Sequence, residues 1–246
     1  MAGILEQGDI YFLYRPRVQF ERVRSLADVQ RLLVVLQPWP DSRLRLVTVV
    51  GKRLPSIPAH DRSWWFVDRA VSHPDELREV LGRRRYWTKT RGERVQPPAR
   101  AVGVGGYAIF RHERHTHLAY RLDYPYRRGA PQRDLNIEFE ASYVVAVKDP
   151  RVPFPPGVRR WAPRPELPPD LLARFRGRRF VPLDPVFLDH RGAELVVIGA
   201  SHEAGAALDL DLDTEVERAA RRTFFEDLRA ARGDRLADPL FAGEWR

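Results

Sequence analysis

The chain has 246 residues, 43% of them hydrophobic and 30% charged, which is enough apolar material for a buried core. It contains no cysteine, which excludes disulfides, thiolate nucleophiles and cysteine-ligated zinc or iron–sulfur centres. Its formal charge is +9, and no apolar run approaches the ~20 residues of a membrane-spanning helix, so no membrane contact is expected.

The start, M-A-G-I-L-E-Q-G-D, lacks the basic region and apolar stretch of a secretory signal, and a cytoplasmic location is expected. G-D-I-Y-F-L-Y-R-P-R-V then reads as a strand. Ile10, Phe12 and Tyr14 alternate with Tyr11 and Leu13, so both faces are apolar, as in a strand buried on two sides or closed into a barrel. S-L-A-D at 25–28 is a helix-capping signal, and the pattern predicts a short helix to about Arg31 followed by a strand ending at Pro38. R-L-R-L-V-T-V-V-G and S-W-W-F-V-D-R-A-V read as strands. H-P-D-E-L-R-E-V-L-G reads as a helix, with Pro74 in its first turn, acids near its start and Gly82 after its end. G-G-Y-A-I-F-R-H and T-H-L-A-Y-R-L-D-Y-P predict a hairpin turning at Glu113 and Arg114, and A-S-Y-V-V-A-V-K-D-P one more strand.

Residues 150–169 contain eight prolines and cannot be regular structure. Phe154 and Trp161 within them point to an extended strap on the surface rather than a linker. Beyond it come a short helix at L-L-A-R-F, a strand at A-E-L-V-V-I-G-A, and a final helix capped by Thr214 with Glu217 at its third position. Q-R-L-L-V-V-L-Q-P also echoes S-Y-V-V-A-V-K-D-P, and L-V-T-V-V-G-K echoes L-V-V-I-G-A-S, a weak hint of two related halves. The expected fold is α+β: a β-rich, barrel-like body at 1–149 with three or four short helices and a proline-rich surface strap at 150–170. A strand and a C-terminal helix at 171–246 pack on the same body.

The charge is uneven. Residues 203–246 carry eleven acids and seven arginines, a net of −4, so the first 202 carry +13. All but three of the 42 basic residues are arginine, whose planar fork matches phosphate oxygens; a GC-rich genome would also favour arginine over lysine, but not a net positive excess. R-R-R-Y-W-T-K-T-R-G-E-R at 83–94 has six bases and one acid around Tyr86 and Trp87. Y-P-Y-R-R at 124–128, R-R-W at 159–161 and R-F-R-G-R-R-F at 174–180 repeat the theme. Arginine neutralises phosphate and aromatic faces stack on unpaired bases, although arginine also stacks on a protein's own rings. The expected site is therefore Arg83, Arg84, Arg85, Tyr86, Trp87, Lys89 and Arg91, with Arg174, Arg176, Arg178 and Arg179 as a second phosphate-binding set. The expected partner is RNA or, second, DNA, with no catalysis and no cofactor.

Two other patterns carry alternatives. R-H-E-R-H-T-H-L-A-Y holds His112, His115 and His117, and a strand would put His115 and His117 on one face, where H-x-H can hold a divalent metal. Glu138, Asp123 or Glu140 would have to complete the set, and such a site would make the protein a metal-dependent enzyme. The pattern departs from the cupin motif, which places Glu a few residues on and a further histidine downstream. Arg111 and Arg114 also disfavour a cation, so exposed histidines on a turn are expected instead. Asp209, Asp211 and Asp213 alternate as in calcium loops, but the sixth and twelfth positions are Thr214 and Ala220, so a polar approach to the last helix is the better reading. The glycines of A-V-G-V-G-G-Y lead into a strand and form no dinucleotide fingerprint. A third alternative is an assembly factor that docks a protein partner through the strap and the acidic C-terminal helix.

Q-G-D-I-Y-F-L-Y-R-P-R-V, T-K-T-R-G-E-R, H-T-H-L-A-Y and E-A-S-Y-V-V-A-V-K-D-P together resemble a prokaryotic protein family with no assigned activity, over most of the chain. G-D followed by the aromatic strand Asp9 to Tyr14 is similar to an element of EVE and other PUA-like domains. That likeness implies a β-barrel and a modified base or RNA as ligand.

Overall fold

The two-sided apolar pattern of β1 (Gly3–Pro16) sets the architecture, because both of its faces must be covered. In the computed structural model, which describes residues 3–41, 43–154, 165–201 and 244–245, both are. Ile10, Phe12 and Tyr14 enter the main core, while Tyr11 and Leu13 join a second cluster outside it.

The main core is the inside of a closed barrel. Around it run β1, β2 (Val29–Pro38), β3 (Leu44–Val49), β4 (Arg62–Val71), β11 (Glu194–Ser201), β9 (Glu140–Lys148), β8 (His115–Tyr124) and β7 (Arg100–His112), which returns to β1. All eight pairings are antiparallel, and the β8–β9 ladder closes the ring, leaving no open edge between staves. Large side chains fill the interior: Phe12, Trp65, Tyr107, Tyr120 and Tyr143 are all buried. Gly105 lets the β8 backbone lie close against β7, since a Cβ there would sit 1.9 Å from the Arg121 carbonyl oxygen.

The outer cluster is covered by α1 (Pro74–Leu81), which lays Leu77 and Leu81 over Tyr11, Leu13, Leu33, Val35 and Leu46. Burying each of those two leucines contributes about 1.5–3 kcal/mol. One end of the barrel is closed by Val23, Leu54, Ile57 and by α2 (Ala130–Leu135) with Leu135 and Ile137. The other is closed by Leu171 of α3 (Pro169–Arg174), by Phe175 and Leu183 around β10 (Phe180–Pro182), and by Phe187 and Leu188 of a 3-10 turn. Trp245 packs edge-on to Tyr14 at 5.1 Å.

The β-rich barrel expected from the sequence is present, but α+β is too loose a label. The three α-helices among the described residues have six to eight residues each and decorate a barrel. The helix expected to reach Arg31 is only a 3-10 turn, Leu26–Asp28, capped by Ser25 Oγ. Strand begins at once at Val29, because the branched run that follows is paired on both sides by β1 and β3. The internal echo is not a structural repeat. β2–β3 and β9–β11 run in the same directions but advance around the barrel in opposite senses, a relation that no rotation produces. Phe154, at the start of the strap, packs on Trp64 at 4.9 Å and on Phe66 at 5.7 Å. Trp161, Arg159 and Arg160, the acidic alternation from Asp209 and the helix expected from Thr214 lie outside the described residues.

Candidate functional site

The barrel interior is filled by its own side chains where Leu36, Val47 and Trp65 meet. The gap between Leu36, Val47, Trp65, Ile109 and Leu118 measures about 10 Å³, at the limit for a single water. The substantial recess, about 410 Å³, lies on the outer face. Leu33, Leu46 and Thr48 of β2 and β3 form its floor, and Val80 of α1 forms a wall. Above it stands a hairpin, β5 (Arg84–Thr88) and β6 (Gly92–Gln96), which contributes Arg84, Tyr86 and Gln96.

Two register shifts shape this recess. Pro16 of β1 pairs with Val29 while Arg15 pairs with Arg31, so Gln30 is an extra residue in β2. Leu46 pairs with Arg69 while Val47 pairs with Val67, so Asp68 is an extra residue in β4. A bulge re-aims the side chain it inserts. Here both inserted residues, Gln30 and Asp68, line the same recess as Arg31 and Arg69.

The electrostatics are lopsided. Arg15, Arg31, Arg69 and Arg84 line the recess with Asp68 as the one carboxylate, a net of +3. Arg15 and Arg31 are direct cross-strand partners on one face, a like-charge pairing that a sheet normally avoids. Arg15 is anchored: Nη2 donates to the Val80 carbonyl at 2.7 Å and Nη1 to that of Pro97 at 3.2 Å. Its cation thus sits at the C-terminal end of α1, where the helix dipole favours it. Burial first, then Arg31 and Arg84, pull the Arg15 guanidinium down to about 10, with Asp68 opposing. Arg69 has only a loose contact with Asp68, at 3.7 Å, and its Nε is buried without a hydrogen-bond partner among the described residues. Arg31 and Arg84 have no ion pair among the described residues. Crowded guanidiniums that outnumber their one carboxylate are favourable ground for an anion.

The hairpin is moored to the body. Val95 and Gln19 exchange hydrogen bonds at 2.8 and 3.1 Å, and Gln96 Nε2 donates to the Pro16 carbonyl at 2.8 Å. Arg83 grips Glu21 with two bonds, at 2.6 and 3.0 Å, which holds that carboxyl below its ordinary range. The tip turns through Lys89, Thr90 and Arg91 into Gly92, whose φ of +64° suits glycine. Alternation puts Arg84, Tyr86 and Arg94 on the recess side, and Arg85 and Trp87 on the other. Trp87 is 77% exposed and Tyr86 41% exposed.

The residues expected at the site are thus divided. Arg84, Arg85, Tyr86, Trp87, Lys89 and Arg91 share one exposed hairpin, whereas Arg83 is spent on holding it. Arg174, Arg176, Arg178 and Arg179 sit on α3 and the turn into β10, which pairs with β9, four strands around the barrel from β2. Arg174 pairs with Asp184 at 2.8 Å and Arg179 lies over the Phe180 ring. The two sets do not form one surface. Tyr124 and Tyr126 bond to each other at the end of β8, and Arg128 pairs with Glu138.

The histidines of the metal alternative do not converge with a carboxylate among the described residues. Among the described residues no group of three His, Asp or Glu side chains could hold an ion. His117 stacks on Phe110 and contacts Ser142 Oγ through Nδ1 at 3.3 Å, while Glu138 is occupied by Arg128. His112 and His115 flank the tight turn and are exposed.

No protein-family model, curated protein or solved structure matches the chain. The chemistry of the recess and hairpin therefore carries the functional reading. Sequence reasoning missed Arg15, Arg31, Arg69, Gln30 and Asp68, which lie far apart in the chain and meet only across three strands. One signal was there: Asp68-Arg69 interrupts an otherwise apolar strand, as an inserted bulge residue does.

Proposed function

We propose that the protein binds nucleic acid without acting on it chemically, with single-stranded RNA as the expected partner. The carrying observation is the hairpin Arg84–Gln96, which presents Trp87 and Tyr86 to solvent beside a recess lined by four arginines and one carboxylate. Large aromatics stay exposed at a cost unless a partner covers them, and a base covers either face of a ring equally well. Lys89 and Arg91 at the tip and Arg94 on the recess side extend the positive field along the hairpin.

The first test is fluorescence anisotropy with short single-stranded RNA, single-stranded DNA and duplex RNA across a salt series. Contacts with three to five phosphates give a log–log slope of about −2 to −3.5 for a single strand. Binding that is undetectable at low salt for all three overturns the proposal. A tight complex with a slope near zero does so too, because phosphate contacts would then contribute nothing.

A further inference from the structure

We propose that the arginine recess is a strand-end site: it takes a terminal phosphomonoester, while the hairpin holds the nucleotides beyond it. This rests on the nucleic-acid reading above and assigns the recess a narrower ligand than the hairpin.

Three observations carry it. The first is charge. An internal phosphodiester brings a single negative charge; a monoester brings close to two near neutral pH, and three terminal oxygens. Arg31, Arg69 and Arg84 supply three guanidiniums without firm partners, and Arg15, held by backbone carbonyls, adds a fixed cation behind them. That excess suits a dianion better than a monoanion.

The second is shape. A barrel wall forms the floor, α1 one side and the hairpin another, and the space of about 410 Å³ falls in the range of small-ligand sites, about 300–1,000 Å³. A strand running through would have to cross that floor, whereas a strand ending there enters from the mouth. The third is the remaining lining. Tyr86 stands at the rim where the terminal base would stack, and Gln30 Oε1 is buried without a partner among the described residues. An acceptor so placed suits a sugar hydroxyl or a base amino group.

The test compares labelled RNA octamers bearing a 5′-phosphate, a 3′-phosphate or hydroxyls at both ends, with nucleoside monophosphate and inorganic phosphate as unlabelled competitors. The readout is the ratio of dissociation constants for hydroxyl-ended and phosphorylated strands. Charge-assisted bonds to the extra group predict a ratio of about tenfold or more for one end. Arg31→Ala with Arg84→Ala brings the ratio towards one. Asp68→Asn, which removes the opposing carboxylate, raises it, and thermal melts check that each variant folds. Equal binding of phosphorylated and hydroxyl-ended strands overturns the strand-end site and leaves the strand reading standing. So does a preference that survives the arginine double variant. Nucleoside monophosphate binding, read directly by calorimetry, in a protein that holds no strand keeps the phosphomonoester site and overturns the strand reading. Absence of all binding overturns both.

Discussion

Replacing Trp87 with alanine separates binding from folding, because the ring is 77% exposed. Little of it stabilises the fold. The remaining fraction of a large aromatic surface is roughly 60 Å², worth at most about 1.5 kcal/mol. In a chain of this size, that lowers Tm by no more than about 6 °C. Stacking on one base contributes about 1–3 kcal/mol, so the affinity for single-stranded RNA should fall about 5- to 150-fold. Trp87→Phe should recover most of the loss, since a smaller ring still stacks. The assay is anisotropy at one fixed salt concentration, with a thermal melt of each variant. The reasoning is refuted if Trp87→Ala binds RNA like the parent. It is refuted equally if the loss of affinity merely tracks a large loss of Tm.

Other consequences concern the barrel. Lys148 and Glu194 are cross-strand partners, both 1% exposed, bonded at 2.7 Å. Lys148→Ala breaks this buried pair and should cost about 3–5 kcal/mol in a urea titration, whereas Lys148→Met with Glu194→Leu should recover most of that; equal losses would contradict the buried pair. The His117 imidazole is held below its ordinary range by burial first, then by His112 and His115. Its depressed value means that the unfolded chain takes up the proton first, so stability is fully present above about pH 6.5 and falls on acidification. His117→Phe should flatten urea midpoints between pH 7 and pH 5, and an unchanged slope would assign the dependence to other groups.

How much could be read from the chain followed from where the constraints lie. β1 was legible because both faces of a stave under α1 must be apolar, and Ile10 to Tyr14 are. α1 announced itself through Pro74, its acids and Gly82. The β5–β6 hairpin was not legible as strand. Arg84 to Trp87 are exposed, so no buried face imposes an apolar period and the run reads simply as basic. Leu26 to Arg31 misled because helical spacing is local, whereas pairing with β1 and β3 is not. The basic-aromatic theme singled out 83–94, but one-dimensional clustering could not tell Arg83, gripping Glu21, from Arg84, facing the recess. Nor could it separate the hairpin from Arg174 to Arg179 on the β9 side of the barrel. The recess itself depends on two inserted residues, Gln30 and Asp68, whose effect exists only once strands are paired.

The most direct test of nucleic-acid binding at this site is ultraviolet crosslinking of the full chain to single-stranded RNA, with adducts located by mass spectrometry. Adducts should concentrate on Tyr86 and Trp87 of the hairpin, with little on the Arg174–Phe180 segment. Adducts confined to that segment, or none at RNA concentrations that saturate anisotropy, would contradict it.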